Sequence, residues 1–348
     1  MTTPAYAAQT AKSPLAPFVL ERRAPRPTDV VIDILYCGVC HSDIHQARDE
    51  WGGSIFPMVP GHEIVGRVAA VGSAVTAWKA GDAVGVGCFV DSCRQCAPCR
   101  SGEEQYCEKG MIATYNGREY EGAPTYGGYS TRITVDQAYV LRIPDGLPLD
   151  RAAPLLCAGI TTYSPLRQFG VRAGQRVAVV GLGGLGHMAV KLARAMGAEV
   201  TVLSSSPAKR EDALGLGAHE FFATSDKATF KQLANRFDLI IDCVSAAHDY
   251  NAYLALLGLD GRMVLLGVPV DPTPVHAFSL IRNRRQLVGS LIGGIRETQE
   301  MLDFCAAHGV ASDIETIPIQ QINEAYDRML RGDVRYRFVI DCASFAAS

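Results

Sequence analysis

No stretch of this chain reaches the roughly 18 consecutive apolar residues that a membrane-spanning helix requires. The opening residues, MTTPAYAAQTAKSPLAPF, lack the apolar core of a secretion signal. Neither sign of charge dominates: 33 Lys and Arg stand against 36 Asp and Glu, for a net charge of −3. Such a balance leaves no basic stripe for nucleic acid and no cationic face for a lipid surface. No internal repeat and no low-complexity tract is evident. What remains is a globular chain of 348 residues, long enough for two domains with substantial cores.

Cysteine, by contrast, is plentiful. The eleven are Cys37, Cys40, Cys88, Cys93, Cys96, Cys99, Cys107, Cys157, Cys243, Cys305 and Cys342. An odd number without a signal peptide argues against a disulfide framework, and the clustering of four argues for metal. We therefore expect a reduced, cytoplasmic protein. Cys93, Cys96 and Cys99 stand at intervals of three, with Cys107 eight positions on. These thiolates can close a tetrahedral site within one loop, and four protein ligands leave no open position, so zinc there is structural. A redox cluster or an iron–sulfur site draws on the same residues, and spacing alone does not separate them.

Glycine-rich punctuation marks the second signal. Residues 177–180 (Val-Ala-Val-Val) form an apolar run of strand length, followed by Gly181-Leu182-Gly183-Gly184-Leu185-Gly186. A helical pattern then runs through Leu185, Val190, Leu192, Ala193 and Met196, closes at Gly197, and gives way to a second strand at 200–203. Strand, Gly-rich turn, helix and strand in that order make a dinucleotide-binding fingerprint. Gly181 permits the tight turn, Gly183 lets backbone approach a pyrophosphate, and Gly186 lets helix and strand pack closely. The helix N-terminus supplies unpaired N–H groups to the phosphates. An NAD site places Asp or Glu about 20 residues after the motif, on the ribose 2′-hydroxyl. Here that place reads Leu203-Ser204-Ser205-Ser206-Pro207-Ala208-Lys209-Arg210. Hydroxyls and cations suit a 2′-phosphate, so we expect NADP(H); the alternative is that Lys209 and Arg210 merely solvate the next helix.

Residues 1–27 read as a variable lead-in with a Pro-rich turn. Strands are expected at 30–36 and 64–71, with short strands and Gly turns through Val86 and two more between 127 and 141, a β-rich half. A helix follows Cys157. The second half alternates: helix 208–216, strand 237–242, helix 250–257, strand 262–266 and a strand near 286–290. Alternation implies a doubly wound parallel sheet, so the fold class is α/β. An amphipathic segment at 322–330 and a strand at 336–340 end the chain.

Cys40, His62 and Cys157 are widely spaced, and singly each reads as a buried thiol or a core histidine. Together, two thiolates, one imidazole and one exchangeable ligand can make a catalytic zinc site. The local sequences around them are Cys37-Gly38-Val39-Cys40-His41-Ser42-Asp43-Ile44-His45, Val59-Pro60-Gly61-His62-Glu63-Ile64-Val65-Gly66 and Pro154-Leu155-Leu156-Cys157-Ala158-Gly159-Ile160-Thr161. With the four-Cys loop, the glycine turn and Tyr336-Arg337-Phe338-Val339, the chain resembles the zinc-dependent medium-chain dehydrogenase/reductase superfamily, and within it the cinnamyl alcohol dehydrogenase family. The resemblance covers essentially everything after the lead-in.

The resemblance implies a β-rich GroES-like catalytic domain, residues 1–155 completed by 295–348, and a Rossmann cofactor domain, residues 156–294, with the active site in the cleft between them. It implies two zinc ions per chain: a catalytic one on Cys40, His62 and Cys157, with Glu63 beside it, and a structural one on Cys93, Cys96, Cys99 and Cys107. Asp43 would orient His62. Glu63 would exchange with water at the metal or stay a neighbouring carboxylate. Ser205, Ser206 and Lys209 would meet the 2′-phosphate, and Thr161, Ser204, Val268 and Ser290 would join the glycine turn in binding the cofactor. Ser42 and, through the cofactor ribose, His45 would relay a proton to solvent, with His45 in the right pKa range for the outer end. Trp51, Cys88 and Ile112 would line an apolar substrate pocket.

The expected activity is hydride transfer between NADP(H) and aromatic or aliphatic primary alcohols and aldehydes, in a homodimer without nucleic-acid or membrane partners. An NAD-dependent polyol dehydrogenase of the same superfamily is the enzymatic alternative. A zinc-ribbon binding module is the non-enzymatic one, and a zinc-free quinone reductase would lack the Cys40, His62, Cys157 set.

Overall fold

The computed structural model describes residues 1–269 and 271–347. The chain forms two compact units: Met1–Cys157 together with Gly293–Ser348, and Ala158–Ile292.

The first unit is built on a seven-stranded sheet. Its order is Ile314–Pro318, Arg337–Asp341, Asp29–Gly38, Ile64–Val71, Ala83–Val86 and Leu141–Arg142, with Arg132–Asp136 also pairing with Asp29–Gly38. The run Val30-Val31-Ile32 has the β-branched character of a strand buried on both faces, and all three residues are buried. Three neighbours pair with this strand, all antiparallel. The expected lead-in is instead an ordered hairpin of Thr2–Ala7 with Ala16–Glu21. It is tied down by a two-way hydrogen bond between the Leu15 backbone and the Asn323 amide, 2.9 Å each way. Its proline and alanine content hid the strand pattern, which β-propensity alone disfavours.

In the second unit six strands lie parallel in the order Glu220–Ala223, Glu199–Ser204, Arg176–Val180, Phe237–Asp242, Leu257–Leu265 and Gln286–Gly289. This is the doubly wound arrangement, with its order reversing beside Arg176–Val180. Arg176–Val180 is buried except at its first residue, as an interior parallel strand must be. Behind it Val180, Phe237, Ile240, Leu254, Leu257 and Met263 share one apolar core. Full burial of each such side chain is worth about 1.5–3 kcal/mol.

Several expected bounds move. The strand expected at 262–266 begins at Leu257, passing through Asp260 with φ +61°. The helix at 250–257 stops at Leu254, because the following residues enter that strand. The helix at 208–216 splits into a tight turn, Pro207–Lys209, and Arg210–Gly215, since Pro207 starts the turn without an N–H to donate. Glu220–Ala223, which was not expected, adds the outermost strand.

Candidate functional site

The central strand of the first unit delivers the chain to Cys40, which caps the helix His41–Ala47 with extended backbone, φ −114° and ψ 153°. Asp43 stands in the first turn and reaches back, its Oδ2 accepting the Cys40 N–H at 2.9 Å. This is how a carboxylate at the third helical position closes a helix start. Asp43 Oδ1 accepts the Gly61 N–H at 3.2 Å and meets His62 Nδ1 at 3.2 Å. With Nδ1 so engaged, Nε2 is the ring nitrogen left to bind a metal. The Tyr115 ring stacks on the imidazole, centroids 5.7 Å apart.

Cys157, 117 residues beyond Cys40, brings its Sγ to 3.9 Å from the Cys40 Sγ. One ligand atom each from Cys40, His62, Glu63 and Cys157 lies within 4.8 Å of the others, and all four residues are buried. Zinc–sulfur bonds of about 2.3 Å at tetrahedral angles place two sulfurs about 3.8 Å apart, so the thiol pair fits. The hydrogen bond from Cys157 holds Cys40 well below the ordinary thiol range, and the same contact, together with Cys88 and burial, raises Cys157. Burial pushes Glu63 up to about 7. Arg337 donates to Glu63 Oε1, while Glu63 Oε2 has no hydrogen-bond partner among the described residues. Metal binding would take both thiols to thiolates, and two thiolates beside the buried Asp43 carboxylate suit a divalent cation, because an uncompensated buried charge is costly.

The second cluster forms within one loop, as its spacing predicts. Cys93 and Cys99 sulfurs are 3.9 Å apart, Cys96 and Cys99 sulfurs 3.4 Å, and all four ligand atoms lie within 4.8 Å. None of these cysteines is in a disulfide. Backbone N–H groups of Cys93 and Cys96 point at Cys107 and Cys93 sulfurs, 3.3 and 3.4 Å away, as they do around thiolates. The loop is anchored at its far side: Glu104 Oε2 accepts the Ile295 N–H at 3.1 Å and Arg296 donates to the Ser101 carbonyl at 2.8 Å.

The helix His41–Ala47 sets Ser42 and His45 one turn apart on one face. Ser42 Oγ lies 3.7 Å from the Cys40 sulfur. His45 Nδ1 meets Glu50 Oε2 at 2.5 Å, and its ring stacks on Trp51 at 4.8 Å. Glu50 is a residue that sequence reasoning missed; a carboxylate shortly after the end of a histidine-bearing helix was the available signal. Ile112 is buried, and Cys88 Sγ contacts the Leu156 carbonyl at 3.6 Å.

Gly181 has φ +86°, and a Cβ on Gly186 would stand 2.0 Å from the Gly181 carbonyl oxygen. Gly183 opens onto free space and caps the helix Gly184–Ala195. That helix buries Val190, Leu192 and Ala193, whereas Leu185 and Met196 are only half-buried. Leu185 sits in the first turn and Met196 past the last, where fewer neighbours cover them. Leu182 is buried, and its carbonyl accepts from Lys209 Nζ at 2.6 Å, which brings the serine segment to the glycine turn. Ser205 is exposed and Ser206 half-buried; Ser204 is buried, its Oγ 3.4 Å from the Ser206 N–H. Thr161 is buried in the helix Ala158–Gln168. Val268 and Ser290 follow the carboxyl ends of Leu257–Leu265 and Gln286–Gly289.

Known proteins agree with these features. The pattern of the zinc-binding dehydrogenase family matches residues 184–307, and that of the alcohol dehydrogenase GroES-like domain matches residues 26–145. The chain is 61% identical over 344 residues, 99% of each sequence, to NADP-dependent alcohol dehydrogenase C 1 of Mycolicibacterium smegmatis. It is 54% identical to the aldehyde reductase YahK of Escherichia coli, with 98% of each covered. Among solved structures it matches the cinnamyl alcohol dehydrogenase SbCAD4 of Sorghum bicolor with a TM-score of 0.96 at 48% identity, covering 99% of this chain and 98% of that one. It matches the Helicobacter pylori enzyme complexed with NADP(H) with a TM-score of 0.93 at 44% identity, covering 99% of each. Likeness of this extent, over a chain that carries both cysteine clusters and the dinucleotide turn, makes it a member of the zinc-dependent medium-chain alcohol dehydrogenases, among the cinnamyl alcohol dehydrogenase-like enzymes.

Proposed function

We propose that this alcohol dehydrogenase interconverts primary alcohols and aldehydes, aromatic and aliphatic, with NADP(H), and that Cys40, His62 and Cys157 hold its catalytic zinc. The observation that carries the reading is the buried Cys₂His set, its histidine oriented by Asp43 at 3.2 Å. When bound, zinc polarises the substrate oxygen and the reduced nicotinamide supplies hydride to the carbonyl carbon. The protein's own residues do the rest. Ser42 gives its hydroxyl proton to the oxygen of the nascent alcohol. His45 would replace that proton from solvent, and Glu50, bonded to Nδ1, leaves Nε2 as the nitrogen that would transfer it. Glu63 Oε1, which Arg337 bonds, lies 4.0 Å from His62 Nε2 and is the oxygen that would exchange with water at the ligand position. Ser205, Ser206 and Lys209 would bind the 2′-phosphate and the glycine turn the pyrophosphate.

Initial rates of aldehyde reduction test the reading, measured with NADPH and NADH on cinnamaldehyde, benzaldehyde, butanal and octanal. Charged hydrogen bonds to a phosphate are worth about 1.5–3 kcal/mol each, so kcat/KM should favour NADPH by about 100-fold. Equal efficiency with NADH would remove the assignment of the serine segment. No turnover from protein holding two zincs per chain would favour the NAD-dependent polyol reading.

No helix among the described residues is long and apolar enough to cross a membrane. We place the protein in the cytoplasm, where its thiols stay reduced. A homodimer is our inference for its assembly. Gln286–Gly289 lies at one edge of the parallel sheet, and Phe278 and Ile281 just before it are 67% and 65% exposed. Open sheet edges and exposed apolar side chains of that size invite a second copy. Light scattering should give twice the 37.4 kDa chain mass, and Ile281→Asp should shift the particle toward one chain; a monomeric parent would end this inference.

A further inference from the structure

The segment Gly127-Gly128-Tyr129-Ser130 has no role in the chemistry above, yet it is strapped to the loop that carries His62. Its backbone N–H groups at Gly127, Gly128 and Tyr129 donate to the carbonyls of Val59, Gly61 and Pro60 at 2.8, 2.9 and 2.9 Å. The approach is too close for side chains. A Cβ on Gly127 would stand 2.3 Å from the Gly61 oxygen, and one on Gly61 would stand 2.7 Å from the Tyr129 ring. The glycines therefore let Tyr129 pass under Gly61, where it is fully buried. From there its hydroxyl donates to Asp43 Oδ2 at 3.1 Å. Tyr326, from the helix Ile322–Leu330, brings its own hydroxyl to 3.5 Å from that of Tyr129.

Asp43 is fully buried and has four donors around it: the N–H groups of Cys40 and Gly61, the imidazole of His62 and the Tyr129 hydroxyl. The first three belong to metal-ligand residues or their neighbours. Tyr129 reaches the carboxylate from a separate segment, and the Tyr115 hydroxyl interacts with it as well. Burial and the charge of Asp43 both raise the Tyr129 pKa, so its hydroxyl stays a donor. Without that donor, Oδ2 keeps a single partner in a site closed to water, and the carboxylate is free to rotate toward the Cys40 and Gly61 N–H groups. Rotation withdraws Oδ1 from His62.

We propose that Tyr129 is a positioning residue of the metal centre: its hydroxyl fixes the carboxylate that aims His62, and so sets how long the catalytic metal is retained. The proposal rests on the reading of Cys40, His62 and Cys157 as that metal's ligands. Loss of a hydrogen-bonding partner behind a metal ligand commonly weakens retention 10–100-fold; Tyr129 lies one bond further out, so about tenfold is expected.

The test is release of zinc from the two-zinc enzyme to a chromophoric chelator, parent against Tyr129→Phe. The variant should lose one zinc per chain about tenfold faster, while the zinc on Cys93, Cys96, Cys99 and Cys107 leaves at the parent rate. With cobalt in the catalytic site, the visible ligand-field bands should shift in the variant. Release within twofold of the parent, slower release, or equal acceleration at both sites overturns the proposal; the last would mark a general loosening of the fold. Should Tyr129→Phe fail to fold, Tyr326→Phe carries the test, with release two- to threefold faster expected for a weaker bond and an unchanged rate overturning it. A parent that holds only one zinc would sink the underlying ligand assignment instead.

Discussion

A Cys157→Ala enzyme is expected to fold, to hold one zinc per chain and to reduce aldehydes at least about 10⁴-fold more slowly than the parent. Cys157 ends the tight turn Ala153–Leu156, and its N–H is already satisfied by the Pro154 carbonyl at 3.3 Å. Alanine can adopt its backbone, φ −127° and ψ −69°, so the turn survives. What disappears is one of two thiolates. Cys40 then loses the hydrogen bond that keeps its own pKa low, and His62 and Glu63 remain as its only company in the cluster. Lewis-acid stabilisation of developing charge is worth several kcal/mol, and each 1.36 kcal/mol is a factor of ten in rate. Metal analysis and turnover on the same sample decide the matter. Two zincs with kcat within tenfold of the parent would mean that Cys40, His62 and Glu63 suffice, and would promote Glu63 to a ligand.

The second large effect is expected from Ser42→Ala. Proton transfer by a placed side chain commonly contributes 10²–10⁴-fold, and we expect kcat to fall by about 10²-fold with KM changed little. Ser42 is half-buried at the start of a short helix, and among the described residues its hydroxyl contacts the Cys40 sulfur, 3.7 Å away. Alanine is a good helix former, so stability should be unaffected. A serine that merely stabilised the turn would behave the other way, losing thermal midpoint and keeping kcat. Full turnover in Ser42→Ala would remove the proton path through His45 and Glu50 as well.

Which parts were legible in the sequence depends on how far apart the cooperating residues lie. The glycine turn and the four-Cys loop are contiguous, so local spacing carries nearly all of their geometry. Cys40 and Cys157 are 117 residues apart, and no periodicity links them; they emerged through likeness to a family. Arg337 and Tyr129 escaped notice as partners of the centre because strand pairing brings each into place. Val339 pairs with Gly38 and so sets Arg337 beside Glu63, and the Gly127–Tyr129 backbone lies along residues 59–61. The N-terminal hairpin was missed because its strands are short and proline-containing. Glu220–Ala223 is four residues long, which no periodicity argument resolves.

The same pairing has a consequence for biosynthesis. Arg337 stands 274 residues after Glu63. A ribosome adding about 5–20 residues per second takes roughly 15–60 s to travel between them. The Cys93–Cys107 loop is whole early in that interval and can take up its zinc on the nascent chain. The Cys40–Cys157 centre reaches its full set of contacts once the strand Arg337–Asp341 has left the exit tunnel, folded onto Asp29–Gly38 and delivered the Arg337 guanidinium to Glu63. The four-cysteine site can therefore fill during translation, whereas the Cys40–Cys157 centre reaches its final arrangement only after it.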